Sequence, residues 1–280
     1  MIYVIIPVYN RIKKTVKCLE SIFRQNREDT KIIIVDDGST DKTKQILNKK
    51  YSKIIILNGT GSLFWTGSVE LGVNYVLNIC QKKDWILLVN NDVEFENNCI
   101  NKLVIFSEKY NRKIIASAIS VDLKDKDTIV KSGTIVKSWF FNWNYQILDK
   151  HKISNIKSRK EIEVNLLTGR CLLHPVEIFK KIGNYSSQNF PHYGGDDEFT
   201  ARARSAGYRL FILPSAVVFL DQDNTHKTKA NFFGELFISV KSNINLIYRW
   251  RLTRMIVPLY AQPTFYLITI IKSIIQFFKK

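Results

Sequence analysis

The sequence predicts an α/β fold: an open, mostly parallel central sheet that becomes mixed in its second half, flanked by helices and followed by a C-terminal helical extension. Two observations predict it. Short apolar runs alternate with amphipathic stretches through the first ninety residues or so, the pattern of successive βα units. Strand-like runs between Ile114 and Leu173 then follow one another without regular helices between them, which a purely parallel sheet does not allow.

Ile2 to Pro7 is an apolar run suited to a strand covered on both faces. Ile12, Val16, Leu19, Ile22 and Phe23 recur at helical spacing, so Arg11 to about Gln25 is an amphipathic helix. Lys31 to Val35 is a second strand, Asp41 to about Lys50 a short helix, and Lys53 to Leu57 a third strand. A glycine-containing loop leads to a helix from about Ser68 to Lys82 and then to a strand at Trp85. Ile114 to Val121, Ile129 to Val136 and Val164 to Leu173 read as strands. Helices at Val176 to Lys181 and Asp197 to Ala206 precede a last strand, Leu210 to Phe219, and the pattern is helical from Phe232 onward. Residues 1–225 are expected to form one domain, and residues 226–280 a set of basic C-terminal helices.

With 45% apolar residues, 12 Gly and 6 Pro in 280 residues, the composition is that of a folded globular chain and excludes disorder. Cys18, Cys80, Cys99 and Cys171 show no C-x-x-C spacing, so reduced thiols and a cytoplasmic location are expected. The opening MIYVIIPVYN has no charged leader or cleavage site, which argues against a secretory signal. The net charge of +17 points to a polyanionic partner or an anionic surface. No zinc-finger, helix-turn-helix or RNP-type module accompanies it, so a nucleic-acid partner is not expected. From His226 onward nine Lys and Arg face one acid, Glu235.

The last helix carries its own signal. Between Phe265 and Phe278 apolar residues cover most of the circumference, and Thr269, Lys272, Ser273, Gln276 and Lys280 form a narrow polar stripe. The stretch is short and interrupted for a membrane span. It reads as an interfacial helix on an anionic bilayer, with Arg249, Arg251, Arg254, Lys279 and Lys280 near the headgroups. A helix covering the core or a dimer interface is the alternative.

Four stretches carry chemistry. The first turn, PVYNR from Pro7 to Arg11, lacks the G-x-G-x-x-G that lets backbone amides neutralise a pyrophosphate, so a bound diphosphate needs a metal ion or basic side chains. The second strand ends in VDDGSTD; Asp41 or Thr40 suits a helix cap, while Asp37 can accept from a base or ribose. The strand WILLV runs into Asn90, Asn91 and Asp92, a lone carboxylate where ligands of open α/β sheets bind. In HYGGDDEF, three acids opening a helix fit its dipole, but crowded carboxylates also acquire the raised pKa of a general base. The loop NGTGSLFWTG, Asn58 to Gly67, opens a helix without the Lys-Ser/Thr of a P-loop, so a packed Trp65 and a ligand loop are both open.

Taken together and in order, PVYN, VDDGSTD, the Asp of VNND and GGDDEF resemble the family 2 glycosyltransferases of the GT-A fold, built on a Rossmann-like sheet, over about residues 1–225. The loop GTGSLFWTGSVELGVNYVL looks like the rhamnosyltransferase-like subset of bacterial surface-polysaccharide enzymes. The resemblance implies inverting transfer of one sugar from a nucleotide-diphosphate sugar to a glycan or lipid-linked glycan acceptor, with Mg²⁺ or Mn²⁺ as cofactor, at the inner face of the cytoplasmic membrane. It implies that Pro7, Val8, Tyr9, Asn10, Asp37, Trp65, Gly67, Asn91, Asp92 and Gly169 bind the donor. Asp92 would meet the metal, Asp196 would be the catalytic base with Asp197 the choice if the register shifts by one, and Asp221 would stand in for a metal-binding histidine found in many relatives. Two departures matter. Gly195 occupies the place of the usual Glu before the base, and Leu246 replaces the Gln of the Q-x-x-R-W motif ahead of Arg249-Trp250, which points away from processive synthesis. Two rivals are a sugar nucleotidyltransferase, which needs a glycine- and Lys/Arg-rich first loop, and a non-catalytic nucleotide-sugar or glycan binding protein.

Overall fold

A computed structural model of the chain describes residues 1–130, 132–146, 148, 150–221 and 230–278. Ile2–Val8 (β1) is the centre of a parallel set: Thr30–Asp36 (β2) and Trp85–Val89 (β4) flank it, and Ile55–Asn58 (β3) pairs with β2. The connecting helices are Ile12–Phe23 (α1), Thr43–Lys50 (α2) and Phe64–Leu77 (α3). There follow Val93–Phe95 (β5), Cys99–Lys109 (α4), Ile114–Asp122 (β6), the antiparallel pair Thr134–Ser138 (β7) and Trp143–Gln146 (β8), and Ile162–Glu163 (β9). Cys171–Pro175 (β10), Val176–Ile182 (α5), Gly195–Ser205 (α6) and Arg209–Leu220 (β11) lead to the C-terminal helices Leu246–Ile256 (α7) and Gln262–Phe278 (α8).

The large sheet runs β3-β2-β1-β4-β10-β6-β11-β5, with β9 also on β11. It becomes mixed where β10 lies antiparallel to both β4 and β6. Strand order reverses about β1, so the chain ends of β1, β2 and β4 frame a crevice of the kind that binds ligands in open α/β sheets.

Both faces of the sheet are covered, which explains the unbroken apolar runs. Ile2, Val4, Ile6 and Val8 pack on one side with Cys18, Leu19 and Ile22 of α1 and Ile100, Leu103 and Phe106 of α4. Tyr3, Ile5, Ile86 and Leu88 pack on the other with Val69, Val73 and Val76 of α3 and Phe199 and Ala203 of α6. This alternation is the period of two of a strand. The four cysteines form no disulfide, and Cys18, Cys99 and Cys171 are buried.

The structure departs from the sequence expectations in the middle of the chain. Ile129–Val136 is not one strand: Ile129 makes an isolated bridge to Val121, and regular pairing begins at Thr134. Of the expected strand from Val164 to Leu173 only Cys171–Leu173 is strand, in β10: β9 ends at Glu163, Leu166 makes an isolated bridge to Thr134, and the following residues carry Gly169 against Trp65. Helix α3 starts at Phe64 and not at Ser68, since the Asp37 carboxylate accepts the Phe64 N–H at 2.9 Å. Strands β5 and β8 and helix α4 were not anticipated. The domain boundary expected at 225/226 lies outside the described residues, as do His226, Lys279 and Lys280.

Asp41 anchors the starts of two helices. Its Oδ2 accepts the N–H groups of Arg11 at 2.7 Å and Ile12 at 2.9 Å, at the start of α1. Its Oδ1 accepts from the Thr43 N–H at 3.2 Å and from the Thr43 hydroxyl, at the start of α2. These are orphan donors that a helix cannot satisfy itself. Asp41→Ala is expected to lower unfolding stability by about 1–2 kcal/mol, at or above the usual loss for one cap, read as a lower urea midpoint with unchanged slope.

Candidate active site

Asp37 organises the loop beyond β2. Its side chain is buried, Oδ1 accepts from the Gly61 N–H at 2.8 Å and the Leu63 N–H at 3.2 Å, and Oδ2 accepts from Phe64. A Cβ on Gly59 would lie 2.6 Å from Asp37 Oδ1, so the loop closes only over glycine there. Phe64 is held at φ +55, a conformation that is strained for a bulky residue and typical of ligand sites. In the facing turn, Arg11 has φ +119, and the Asn10 Oδ1 accepts from the N–H groups of Thr40 and Asp41.

Between these turns lies a cavity of about 180 Å³ lined by Pro7, Val8, Tyr9, Arg11, Asp37, Phe64, Trp65, Asn91, His192, Tyr193 and Lys241, among others. Lys241 Nζ stands 5.7 Å from the ring centres of both Tyr9 and Phe64. A second cavity of about 310 Å³ shares Trp65, His192 and Tyr193 with the first and continues to Asn90, Gly169, Arg170, Asp196, Asp197, Tyr248 and Arg249. Trp65 is fixed between the two. Its Nε1 donates to Asn90 Oδ1 at 2.8 Å, and any Cβ on Gly169 would lie 2.4 Å from its ring.

The two aspartates open onto the second cavity from the first turn of α6. Asp196 Oδ2 accepts the Gly169 N–H at 2.8 Å, and Oδ1 accepts the Asp197 N–H at 3.0 Å. Burial raises the Asp196 carboxyl, while these N–H groups and the Arg170 charge oppose the shift. Burial pushes the Asp197 carboxyl up to about 7, the Asp196 charge adds to the shift, and Arg249 opposes it. Asp196 is therefore the better stabilised anion of the pair at neutral pH. Glu198, the third acid of the motif, is buried and ion-paired with Arg202 at 2.7 Å, a structural role. A Cβ on Gly195 would meet Thr66 Oγ1 at 2.6 Å, so the glutamate that the resemblance leads one to expect there is sterically excluded.

Asp92 lies beyond β4, and its carbonyl accepts the Asp221 N–H at 3.1 Å, which brings the two carboxylates to neighbouring backbone positions. Asp92 Oδ2 is 3.3 Å from Arg11 Nη1 and Asp221 Oδ2 is 3.0 Å from Lys14 Nζ. Asp92 Oδ1 is buried and accepts no hydrogen bond among the described residues. Such an orphaned oxygen suits a hard divalent cation. Among the described residues no group of three or more His, Cys, Asp or Glu is placed to hold a metal, so a cation here would take most of its ligands from phosphate and water.

Of the residues singled out in the sequence, Pro7, Val8, Tyr9, Asp37, Trp65 and Asn91 line the first cavity and Gly169, Asp196 and Asp197 the second. Asn10, Gly67, Asp92 and Asp221 line neither: Asn10 builds the first turn, Gly67 is buried inside α3 with its N–H on the Leu63 carbonyl, and the two acids sit beside the first cavity's Arg11 and Asn91. Arg249, expected near lipid headgroups, instead lines the second cavity, where its Nε and Nη2 donate to the Asn243 carbonyl at 3.0 and 2.7 Å. Sequence reasoning also missed Lys241, Arg170 and His192. The first two gave no signal beyond isolated charge, whereas His192 opens the quoted motif HYGGDDEF.

The family model for glycosyl transferase family 2 matches residues 3–183. The chain belongs to glycosyl transferase family 2. Relatives include the glycosyltransferase GlyG of Streptococcus pneumoniae serotype 4, 22% identical over 80% of this chain and 69% of its own length. The poly(ribitol-phosphate) beta-glucosyltransferase of Bacillus spizizenii is 26% identical over 63% of this chain and 27% of its own. The O-antigen chain rhamnosyltransferase WbaN of Salmonella anatum is 23% identical over 76% and 64%. The chain thus spans about a quarter to two thirds of these relatives. Among solved structures, that of GalNAc-T7 with UDP, GalNAc and Mn²⁺ superposes with TM-score 0.66 at 13% identity, over 92% of this chain and 51% of that one. Residues 1–349 of S. aureus TarS with UDP-GlcNAc give 0.59 at 17% identity, over 97% and 81%. These show the GT-A fold.

The family model ends before α6, so Asp196 and Asp197 rest on the geometry above. Because Asp197 moves from its ordinary 3.8 to about 7, the folded state binds more protons than the unfolded state between these values, and stability falls as pH rises through that window. Asp197→Asn is expected to flatten the decline in melting temperature between about pH 4 and pH 7 that the wild type shows.

Proposed function

We propose that this glycosyltransferase moves one sugar, with inversion, from a nucleotide-diphosphate donor to an acceptor hydroxyl during synthesis of a bacterial surface polysaccharide. The observation that carries the reading is the meeting of two cavities at Trp65, one framed by the ends of β1, β2 and β4 and the other floored by Asp196 and Asp197. In this reading the nucleotide lies in the first, against Tyr9 and Phe64. A carboxylate offers about four acceptor sites; three on Asp37 hold its loop, which leaves one for ribose or base. The UDP and UDP-GlcNAc named for the solved relatives support a donor of this class.

The acceptor enters the second cavity. Asp196, aligned by the Gly169 N–H, takes the proton of the attacking hydroxyl as its oxygen bonds to the anomeric carbon. The bond from that carbon to the diphosphate breaks, and the nucleoside diphosphate leaves with the electron pair. Trp65 and Gly169 wall the space where the sugar must sit. Mg²⁺ or Mn²⁺ held at Asp92, with Asp221 adjacent, would supply Lewis-acid stabilisation of the departing diphosphate. Arg11 and Lys14 now neutralise these two acids, so they compete with a free cation and are available to phosphate once one enters.

Incubation with a panel of nucleotide sugars and Mn²⁺ should release nucleoside diphosphate. Asp196→Asn should lower that release by about 10²–10⁴ while leaving nucleotide affinity unchanged; full turnover in the variant would overturn the assignment. Manganese titrations followed by electron paramagnetic resonance should show weak binding to the free protein and tighter binding with UDP present. Arg11→Gln should strengthen the binding to the free protein, and an unchanged titration would remove Arg11 as a competitor.

A further inference from the structure

Helix α8 turns Thr269 and Ser273 of its polar stripe inward, beside Ile270 and Phe277, while Lys272 and Gln276 stay exposed. Thr269 and Ser273 are buried, Asn142 Nδ2 donates to Thr269 Oγ1 at 2.8 Å, and Lys272 Nζ donates to the Asn142 carbonyl at 2.7 Å. On the opposite side Leu267, Ile271, Ile275 and Phe278 are 58, 49, 48 and 77% exposed. A helix lying on a protein in water ordinarily keeps its exposed side polar. The turn before it adds Leu259 and Tyr260, 84 and 73% exposed. Helix α7, joined to α8 through Trp250 and Tyr266 with ring centres 4.7 Å apart, presents Ile247, Trp250 and Met255 outward beside the exposed Arg251 and Arg254.

We propose that this outer face of α7 and α8 docks on an anionic lipid bilayer, with the α8 stripe at the acyl boundary and Arg251 and Arg254 among the headgroup phosphates. Scattered apolar residues on a surface need no partner, but an apolar stripe at helical spacing continued by an apolar turn does. Charge selects lipid over a second copy of the chain. From Leu236 to Phe278 the sequence has no Asp or Glu, so a symmetric contact confined to this segment would bring its basic residues together with no acid of the segment to offset them. A bilayer bearing phosphates offers the opposite charge, and the exposed Trp250 and Tyr260 are residue types that settle at its interface.

The proposal also bears on the transfer reading, on which this part rests, by giving the lipid-linked acceptor that the resemblance implies an approach to the base. The inner side of the same α7 contributes Tyr248, Arg249 and Leu252 to the cavity of Asp196 and Asp197. Bilayer and acceptor cavity therefore lie on opposite sides of one helix, about 10–12 Å across. An amphiphilic acceptor, a glycan on a lipid carrier, can stay anchored while its sugar end reaches the base.

The test is sedimentation of the full chain with phosphatidylcholine vesicles, with and without phosphatidylglycerol. The wild type should bind the phosphatidylglycerol vesicles and leave pure phosphatidylcholine largely unbound. Ile271→Glu with Ile275→Glu should reduce partitioning at least about tenfold, and Arg251→Gln with Arg254→Gln should abolish the preference for anionic lipid. Leu259→Glu, in the turn outside both helices, should weaken binding several-fold and serves if the double variant misfolds; UDP affinity checks folding in each. Vesicle binding unchanged by these variants would overturn the proposal, as would a lipid-free dimer that the Ile271/Ile275 variant dissociates in sedimentation velocity. Donor turnover in solution is read separately: vesicle binding without any release of nucleoside diphosphate would retire the transfer reading and leave the docking face standing.

Discussion

The hydrogen bonds from three backbone N–H groups to the Asp37 carboxylate are the constraint on which the site depends. They close the glycine loop onto the end of β2, start α3 at Phe64, and so place Trp65 one residue into that helix. Trp65 then meets two neighbours and both cavities: Asn90 bonds its indole N–H, Gly169 packs on its ring, and the side chain lines each cavity. A buried carboxylate without its partners is costly, so loop and acid are obligatory to each other.

Charge is arranged around this frame in layers. The acids of the crevice, Asp92 and Asp221, face the basic first turn of α1, and the acids of α6 face Arg170 and Arg249. The free protein thereby carries internal counter-ions where the proposed function puts a nucleotide diphosphate and its cation. The C-terminal segment belongs to the same arrangement, since the turn before α7 supplies Lys241 to one cavity and α7 supplies Arg249 to the other. What the composition shows as a basic appendage is in part the wall of the site and in part an outward face with an exposed apolar stripe.

Much of this was legible beforehand where the signal is local. The strands of the parallel half are apolar runs of the right length, and α1 shows its face at helical spacing, so their types and order follow from periodicity. The aspartates at the strand ends were visible for the same reason: a carboxylate that ends a buried strand has few structural duties to explain it. Where pairing is non-local, legibility fails. The stretch from Val164 to Leu173 is apolar enough for a strand, yet only Cys171–Leu173 is strand, and the residues before it put a glycine against Trp65. Thr66 excluding a side chain at Gly195 is likewise a contact across more than a hundred residues and has no trace in either motif.

The sequence by itself determined the alternating α/β order, the burial of the parallel strands on both faces and the acids delivered to their ends, because these follow from the periods of strands and helices. Tertiary structure alone decided which of those acids are already occupied: Asp37 by its loop, Asp92 by Arg11, Glu198 by Arg202. It alone also decided which way α8 faces. A helical stripe fixes that two sides differ, but which side meets protein depends on a partner such as Asn142, distant in sequence and polar enough to draw Thr269 inward.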